Sequence, residues 1–468
     1  MKNLKTPLII LGILFGAALL LNATGFSSTQ IKSCLIFLLI LCGTLFYWKF
    51  RLAFAFSGIT FLLLFGLLDI PHVIEFAGLD IILFLVGMMT IIGFLEENHF
   101  FEYLVAKIID KIGERPYLLM AVMMVCSTLS AALVDEVTSI LFMMSAMLHI
   151  VKRYKVNFVP YVLMIVFATN IGSSATAVGN PIGVMIALRA GFSFMDFIRW
   201  AAPISILCTG ITILLCFWLF KKDLNELKNK MKKKGNEPHE LKHVSFKKSG
   251  IRASWILFLS TVVCLVLHHN IEEMFHLEKN SLLIGTALFF AAIAIFLKAE
   301  EARDFFMRRV DWWTLTFFMA LFASVGTLRY TGATEHIAKG MVQIAGDNHL
   351  LLMGIFTGAI SLLTALMDNV LAVATFIPIL SDIEKSGIFV FPFWWAMLFG
   401  GTMYGNATII GSTANIVAMG MLEKESGQHI KFGEWLKPGV IVSTVTILFA
   451  MFILMSQFHL MPGAPATF

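Results

Sequence analysis

The sequence predicts an all-α polytopic membrane protein of two inverted repeats, with about eleven transmembrane helices, two re-entrant hairpins and two broken helices. Three observations carry this prediction. Hydrophobic residues make up 58% of the chain and charged residues 14%, against roughly 45–50% and about 25% in soluble domains. Apolar stretches long enough to span a bilayer, about 17–25 residues, recur along the whole length. Residues 84–137 also lie on 317–370 without a gap, at a constant offset of 233. Phe84 meets Phe317, Gly93 meets Gly326, Glu102 meets Glu335 and Gly113 meets Gly346. Ala132-Leu133-Val134-Asp135 meets Ala365-Leu366-Met367-Asp368, and at an offset of 232 Ala175–Gly179 meets Ala407–Gly411.

Taken in order, residues 1–78 are expected to be N-terminal scaffold helices. The apolar run after Lys2 and Lys5 reaches Leu21, and no small-x-small cleavage site follows it, so it reads as the first helix and not as a signal peptide. Residues 79–220 form the first repeat. Residues 221–252 are a basic linker, with Lys221, Lys222, Lys228, Lys230, Lys232, Lys233, Lys234 and Arg252 against few acids. Residues 253–311 supply a connecting helix pair, 312–456 the second repeat and 457–468 an external tail.

Loop charge sets the orientation. The linker belongs in the cytoplasm by the positive-inside rule. Counting from it, the acidic connection from His268 to Asn280 is outside, and the loop with Lys298, Arg303, Arg308 and Arg309 is inside. The second repeat therefore enters from the cytoplasm near Trp312. Its counterpart entrance at 66–80 holds Asp69, Glu75 and Asp80 and no Lys or Arg, so it is outside, and the copies run in opposite directions. If 116–151 crossed the bilayer, Lys152, Arg153 and Lys155 would be stranded outside. A re-entrant hairpin returns them, and its partner at 350–381 returns Asp382, Glu384 and Lys385 to the exterior. The N-terminus is then cytoplasmic and the C-terminus external.

Each hairpin carries an acid at its tip, in Ser130–Glu136 and Thr364–Asn369. A charge at the bilayer centre costs at least about 2.5–3.5 kcal/mol, so Asp135 and Asp368 need a partner, a proton or a cation. Glu136 is an additional acid with Asn369 as its counterpart. After each hairpin comes a stretch too rich in Gly, Asn and Pro to stay helical. The first contains Thr169, Asn170, Ser173, Ser174, Thr176, Asn180 and Pro181; the second contains Asn406, Thr408, Ser412, Thr413 and Asn415. Broken helices are tolerated in a membrane only where they line a protein cavity. Their N-termini favour anions, and their free carbonyls and side-chain oxygens favour Na⁺. These residues are the expected ion and substrate site.

Other features point away from enzyme chemistry. The six cysteines all lie in apolar segments without a CxxC pair, and read as small hydrophobes. The histidines show no metal spacing, and neither a phosphate loop nor a nucleophile elbow is present. No organic cofactor and no nucleic-acid partner is expected; the net charge of +5, concentrated in loops, reports topology and says little about partners. An intramembrane aspartyl protease also needs two embedded aspartates, but no Gly-x-Gly-Asp stretch occurs. A gated channel is a further alternative.

The motifs Thr169–Pro181 and Gly405–Asn415, with Asp368-Asn369, resemble the ion transporter superfamily over roughly residues 50–456. Its branches include arsenite permeases, D-type sodium/proton antiporters, P-protein permeases, citrate–metal transporters and divalent anion–sodium symporters, and the wording is similar to the P-protein and arsenite-permease branch. The resemblance implies a homodimer in a lipid bilayer, here a bacterial inner membrane, with an elevator motion of a hairpin-bearing domain against a scaffold. It also implies ion and substrate sites at the hairpin tips and broken-helix loops. The anion–sodium symporters carry Ser-Asn-Thr where this chain has Asp135-Glu136 and Asp368-Asn369, which favours cation or proton coupling. Asn180 stands where related permeases often carry an acid before the proline. Desolvation favours a protonated carboxyl and a nearby cation an ionised one, so Asp135 and Asp368 are expected to exchange Na⁺ and H⁺. Na⁺/H⁺ antiport is the favoured function. Coupled permeation of a small anion, an arsenite-like oxyanion, citrate or a dicarboxylate, is the alternative.

Overall fold

In the computed structural model, which describes residues 5–112, 115–234 and 248–465, the chain is helical throughout and contains no strand among the described residues. The middle of the basic linker, 235–247, and the position of Gly113 lie outside them.

Thirteen helices precede that gap: α1 (Lys5–Ala23), α2 (Ser28–Phe46), α3 (Arg51–Leu64), α4 (Ile70–Phe76), α5 (Leu79–Glu97), α6 (Phe100–Ile112), α7 (Pro116–Leu133), α8 (Glu136–Tyr154), α9 (Val159–Gly172), α10 (Pro181–Ala190), α11 (Phe194–Trp200), α12 (Ala202–Leu219) and α13 (Lys221–Lys234). Ten follow: α14 (Lys248–Phe275), α15 (Ser281–Lys298), α16 (Ala302–Arg309), α17 (Trp312–Tyr330), α18 (Ala333–Ala345), α19 (His349–Leu366), α20 (Asn369–Lys385), α21 (Phe391–Met403), α22 (Thr413–Ser426) and α23 (Phe432–Ser456). Helices α5, α6 and α7 begin and end 233 residues before α17, α18 and α19, and α9 and α10 begin 232 residues before α21 and α22. The sequence match is thus matched in helix boundaries, and it reaches back further than residue 79, since α3 and α4 shifted by 233 fall on α15 and α16.

Among the described residues nine helices are long and apolar enough to cross a membrane, or ten if the pair α10 and α11, bent by 108° beyond Gly191, counts as one. Two of the nine, α7 and α19, do not continue straight into the next helix. Ser139 Oγ donates to the Ser127 carbonyl at 3.2 Å, whereas twelve residues of unbroken helix would separate them by about 18 Å. The Phe356 and Phe376 rings are 5.4 Å apart, twenty residues along the chain. Both pairs of helices therefore fold back. The turns are capped from within: Asp135 accepts from Val137 and Thr138 N–H at 2.8 and 2.9 Å, and Asp368 accepts from Val370 N–H at 3.0 Å, satisfying donors a helix start leaves free.

Contacts fix which ends share a side. Tyr117 OH donates to Asn225 at 3.1 Å and Lys230 Nζ to the Lys155 carbonyl at 2.6 Å, so both ends of the first fold-back meet α13. That helix buries Leu224, Leu227 and Met231 and turns Lys221, Lys222, Lys228, Lys232 and Lys233 outward. Lys152 also pairs with Glu425 at the end of α22, at 2.6 Å. Both ends of the second fold-back, at His349 and Glu384, line one cavity with Gly463 near the C-terminus.

At the centre stand α9 and α21, buried along nearly their whole length. α9 passes α7 so closely that a Cβ on Gly172 would run into the Thr128 carbonyl. Around this core α15 packs on α5 and α3 on α17. Arg309 joins α16 to α5 through Glu96 at 2.8 Å and Glu97 at 3.0 Å, and Lys298 meets Glu97 at 2.6 Å.

Candidate functional site

Two helix breaks face each other at the centre. Asn180, just before Pro181, caps α10 by accepting from Gly183 N–H at 2.8 Å. Ser412, at the same place in the second copy, caps α22 by accepting from Ala414 N–H at 3.2 Å. The two helix N-termini are therefore built by the residues that also line the site.

Asn170 ties the breaks together. Its Nδ2 donates to Asn406 Oδ1 at 2.7 Å and Asn415 Oδ1 at 2.8 Å, and its Oδ1 accepts from Ser412 Oγ at 3.1 Å. Two acceptors on one side and a hydroxyl on the other fix the orientation of the amide. Asn415 Nδ2 in turn donates to the Gly405 and Thr408 carbonyls, both at 2.8 Å. Asn406 Nδ2 reaches the Phe167 carbonyl at 3.2 Å, and Trp435 Nε1 the Asn406 carbonyl at 3.0 Å.

Glu136 lies at the meeting point of both breaks and both tips. It is 2% exposed. Its carboxyl accepts from Ser173 Oγ at 3.1 Å and Asn369 Nδ2 at 3.4 Å and lies 3.2 Å from Ser412 Oγ, whose one hydrogen it shares with Asn170 Oδ1, and Asn180 Nδ2 holds Ser173 Oγ from behind at 2.8 Å. All of these donors are neutral, and among the described residues no basic side chain acts on this carboxyl, while Asp368 does. Buried charge without an opposite charge is costly, and a proton or a cation at this position would lower that cost. Asn369 Oδ1, buried beside it, makes no hydrogen bond in the protein. A carboxyl, hydroxyls and a free amide oxygen are the hard oxygen donors that an alkali cation takes.

The two aspartates occupy different surroundings. Asp368, 3% exposed, accepts from Thr413 Oγ1 at 2.6 Å and feels the charge of Arg51. That guanidinium is buried, donates to Thr314 Oγ1 at 2.6 Å, and lies 4.3 Å from the Trp48 ring and 5.3 Å from the Phe317 ring. Asp135 is half-buried, and its charge acts on Glu96.

The remaining predicted residues hold the frame. Thr176 Oγ1 donates to the Ala132 carbonyl, and Thr408 Oγ1 to the Ala365 carbonyl at 2.7 Å, so equivalent threonines pin equivalent tips. Thr169 pairs with Ser127 at 2.6 Å and Ser174 with Ser205 at 2.7 Å. Glu136, the additional acid of the first tip, holds the centre of the cluster. Arg51, Glu96 and Trp435 were missed, and Arg309 was read only as a loop charge. Only Arg51 left a signal, as a cation opening an apolar stretch.

A family model described as a citrate transporter matches residues 36–400. The chain is 30% identical over 378 residues to a 46 kDa membrane protein of Mycobacterium leprae, covering 79% of this chain and 84% of that one. It is 29% identical over 372 residues to an uncharacterized transporter of Mycobacterium tuberculosis, with the same coverage of each. Against the human P protein identity is 24% over 455 residues, 82% of this chain and 54% of the larger protein.

Proposed function

This chain belongs to the citrate transporter family, and on that premise we propose that it is an ion-coupled secondary active transporter. Its resemblance to the ion transporter superfamily is borne out by that match and by the likeness to the P protein. It is an integral membrane protein and a transporter; the coupling ion, the cargo and the motion are the proposal.

The observation that carries it is Glu136, a buried carboxyl at the convergence of two tips and two helix breaks, with neutral donors only. Such a group is neutralised by either H⁺ or Na⁺, and a carrier that moves only when neutralised links the two gradients. We assign Na⁺/H⁺ exchange as the first reading, with Glu136 as the shared site, Asn369 Oδ1 and the Ser173 and Ser412 hydroxyls as further ligands, and Asp368 adjacent. The hairpins and broken helices would move as one body against α3, α5, α15 and α17, in a homodimer of the bacterial inner membrane with the basic linker inside. A second reading, coupled uptake of a small carboxylate, is favoured by the convergence of the α10 and α22 N-termini, which attract anions, and by the family's name.

Purified protein in liposomes decides between them. Na⁺ efflux driven by an imposed pH gradient, lost in Glu136→Gln, supports the first. Citrate or dicarboxylate counterflow supports the second. Full gradient-driven flux in Glu136→Gln would remove Glu136 from the coupling.

A further inference from the structure

The hairpin tips stand at unequal positions along their neighbouring helices, although the sequence makes them equivalent. At the first tip, Leu133 and Val134 line a void of about 10 Å³ with Met88, Ile92 and Leu95, which lie in the second half of α5. The second tip sits elsewhere on α17. A cavity of about 940 Å³ is lined by Ala374, Pro378 and Lys385 of α20 and by Phe322, Gly326 and Arg329 of α17. The later turns of α20 thus run beside the second half of α17, and Asp368 lies about 9 Å deeper than Ala374 at 1.5 Å per residue. There Arg51 holds the first half of α17 through Thr314 and Phe317. Under the loop-charge orientation, the second half of α5 and the first half of α17 are both cytoplasmic. Both tips are drawn inward, and the cavity is the space above the second one.

A carrier made of two copies of one fold reaches its opposite state when the copies exchange conformations. Carried across the offset of 233, the void that Val134 lines with Met88, Ile92 and Leu95 becomes one that Met367 lines with Leu321, Val325 and Leu328. Asp368 then takes the place Asp135 now holds beside Glu96, and the residue at the Glu96 position is Arg329. We propose that Arg329 is the outward-state partner of Asp368, so that this aspartate meets Arg51 at the inner end of its travel and Arg329 at the outer end. The inference rests on the transporter reading above. It gives the second tip a guanidinium at both stops, which offsets the cost of carrying a carboxylate between them. The first tip has no such pair. Asp135 faces Glu96 in one state and, after exchange, the Ile284, Phe84 and Ile81 positions, which are all apolar.

Two cysteine pairs test this in full-length protein reconstituted in liposomes, with the six native cysteines replaced by alanine. Val134→Cys with Leu95→Cys reports the state described here, and Met367→Cys with Leu328→Cys reports the exchanged one. A short thiol-reactive crosslinker is followed by mass spectrometry of tryptic peptides. Both pairs are expected to link. Adding Arg329→Gln should cut the yield of the second pair several-fold and raise that of the first, while Arg329→Lys restores the balance. Failure of the second pair to link overturns the inference, whatever the flux assay gives, and an unchanged yield in Arg329→Gln removes Arg329 from it. Linking of both pairs in a protein that moves no ion or anion would sink the transporter reading and leave the two positions of the tip standing.

Discussion

At both hairpin tips an aspartate caps the second arm, but the next residue differs: Glu136 in the first and Asn369 in the second. The two meet, amide to carboxyl, at 3.4 Å. Elsewhere the copies repeat contacts faithfully, as in Thr176 and Thr408 on the Ala132 and Ala365 carbonyls. Duplication therefore supplies the frame, and the chemistry lies where the copies have diverged. One copy brings the acid to the shared centre, and the other brings the amide that leaves an oxygen free. The surroundings diverge in the same way, with Glu96 beside Asp135 and Arg51 beside Asp368.

The sharpest break of this comparison is to neutralise each aspartate. Asp368→Asn takes from the buried Arg51 one of the two carboxylates that act on it, Asp311 being the other, and is expected to lower transport about tenfold or more, a change of about 1.4 kcal/mol. Asp135→Asn keeps an equally good N-cap, and is expected to lower it by about threefold or less, under about 1 kcal/mol. Initial rates in liposomes at matched protein content measure both. Equal losses would mean that the tips are interchangeable and that Arg51 has no hold on Asp368.

Asn170 and its counterpart Thr402 sharpen the same point in stability. Thr402 donates only to the Leu398 carbonyl of its own helix, at 2.7 Å, whereas Asn170 joins three residues of the other copy. Asn170→Ala leaves those groups unsatisfied, at about 1–3 kcal/mol, and should also stop transport. Thr402→Ala removes one local bond and should cost about 1 kcal/mol or less. Thermal unfolding in detergent, followed by tryptophan fluorescence, checks the ordering, and an equal shift for both would assign Asn170 to packing alone.

Much of this was legible in the sequence because repetition is a strong signal. The offset paired the two hairpins and the two breaks, Gly, Asn and Pro marked the breaks, and loop charge turned 116–151 back on itself, in keeping with the contacts of Tyr117 and Lys155 with α13. Polar residues in apolar sequence then named Asn170, Asn406, Ser412 and Asn415. What a one-dimensional reading could not give was which side of a tip each acid faces. Adjacent residues at a helix start point apart, so Asp135 turns to Glu96 while Glu136 turns to the centre. Arg51 escaped because Thr314, Phe317 and Asp368 lie 263 or more residues away.

The smallest effect belongs to the exposed ends. Lys152 and Lys385 are equivalent at the offset of 233, yet Lys385 reaches Asp382 within its own helix and Lys152 crosses from α8 to Glu425 on α22, each at 2.6 Å. The hydrogen bond and charge of Lys152 hold the Glu425 carboxyl below its ordinary value. A carboxyl depressed in the folded state adds stability above its unfolded pKa, and that contribution is lost as pH falls through the folded one. At neutral pH the bridge is therefore fully present, and acid removes it. Because both side chains are half-exposed, salt screens the pair and its contribution is slight. Lys152→Ala is expected to lower the unfolding temperature marginally at neutral pH and low salt. It should change nothing at high salt or below the carboxylate range. The same loss at all pH values would show that Lys152 acts through the packing of its stem, and that the link between α8 and α22 does not depend on charge.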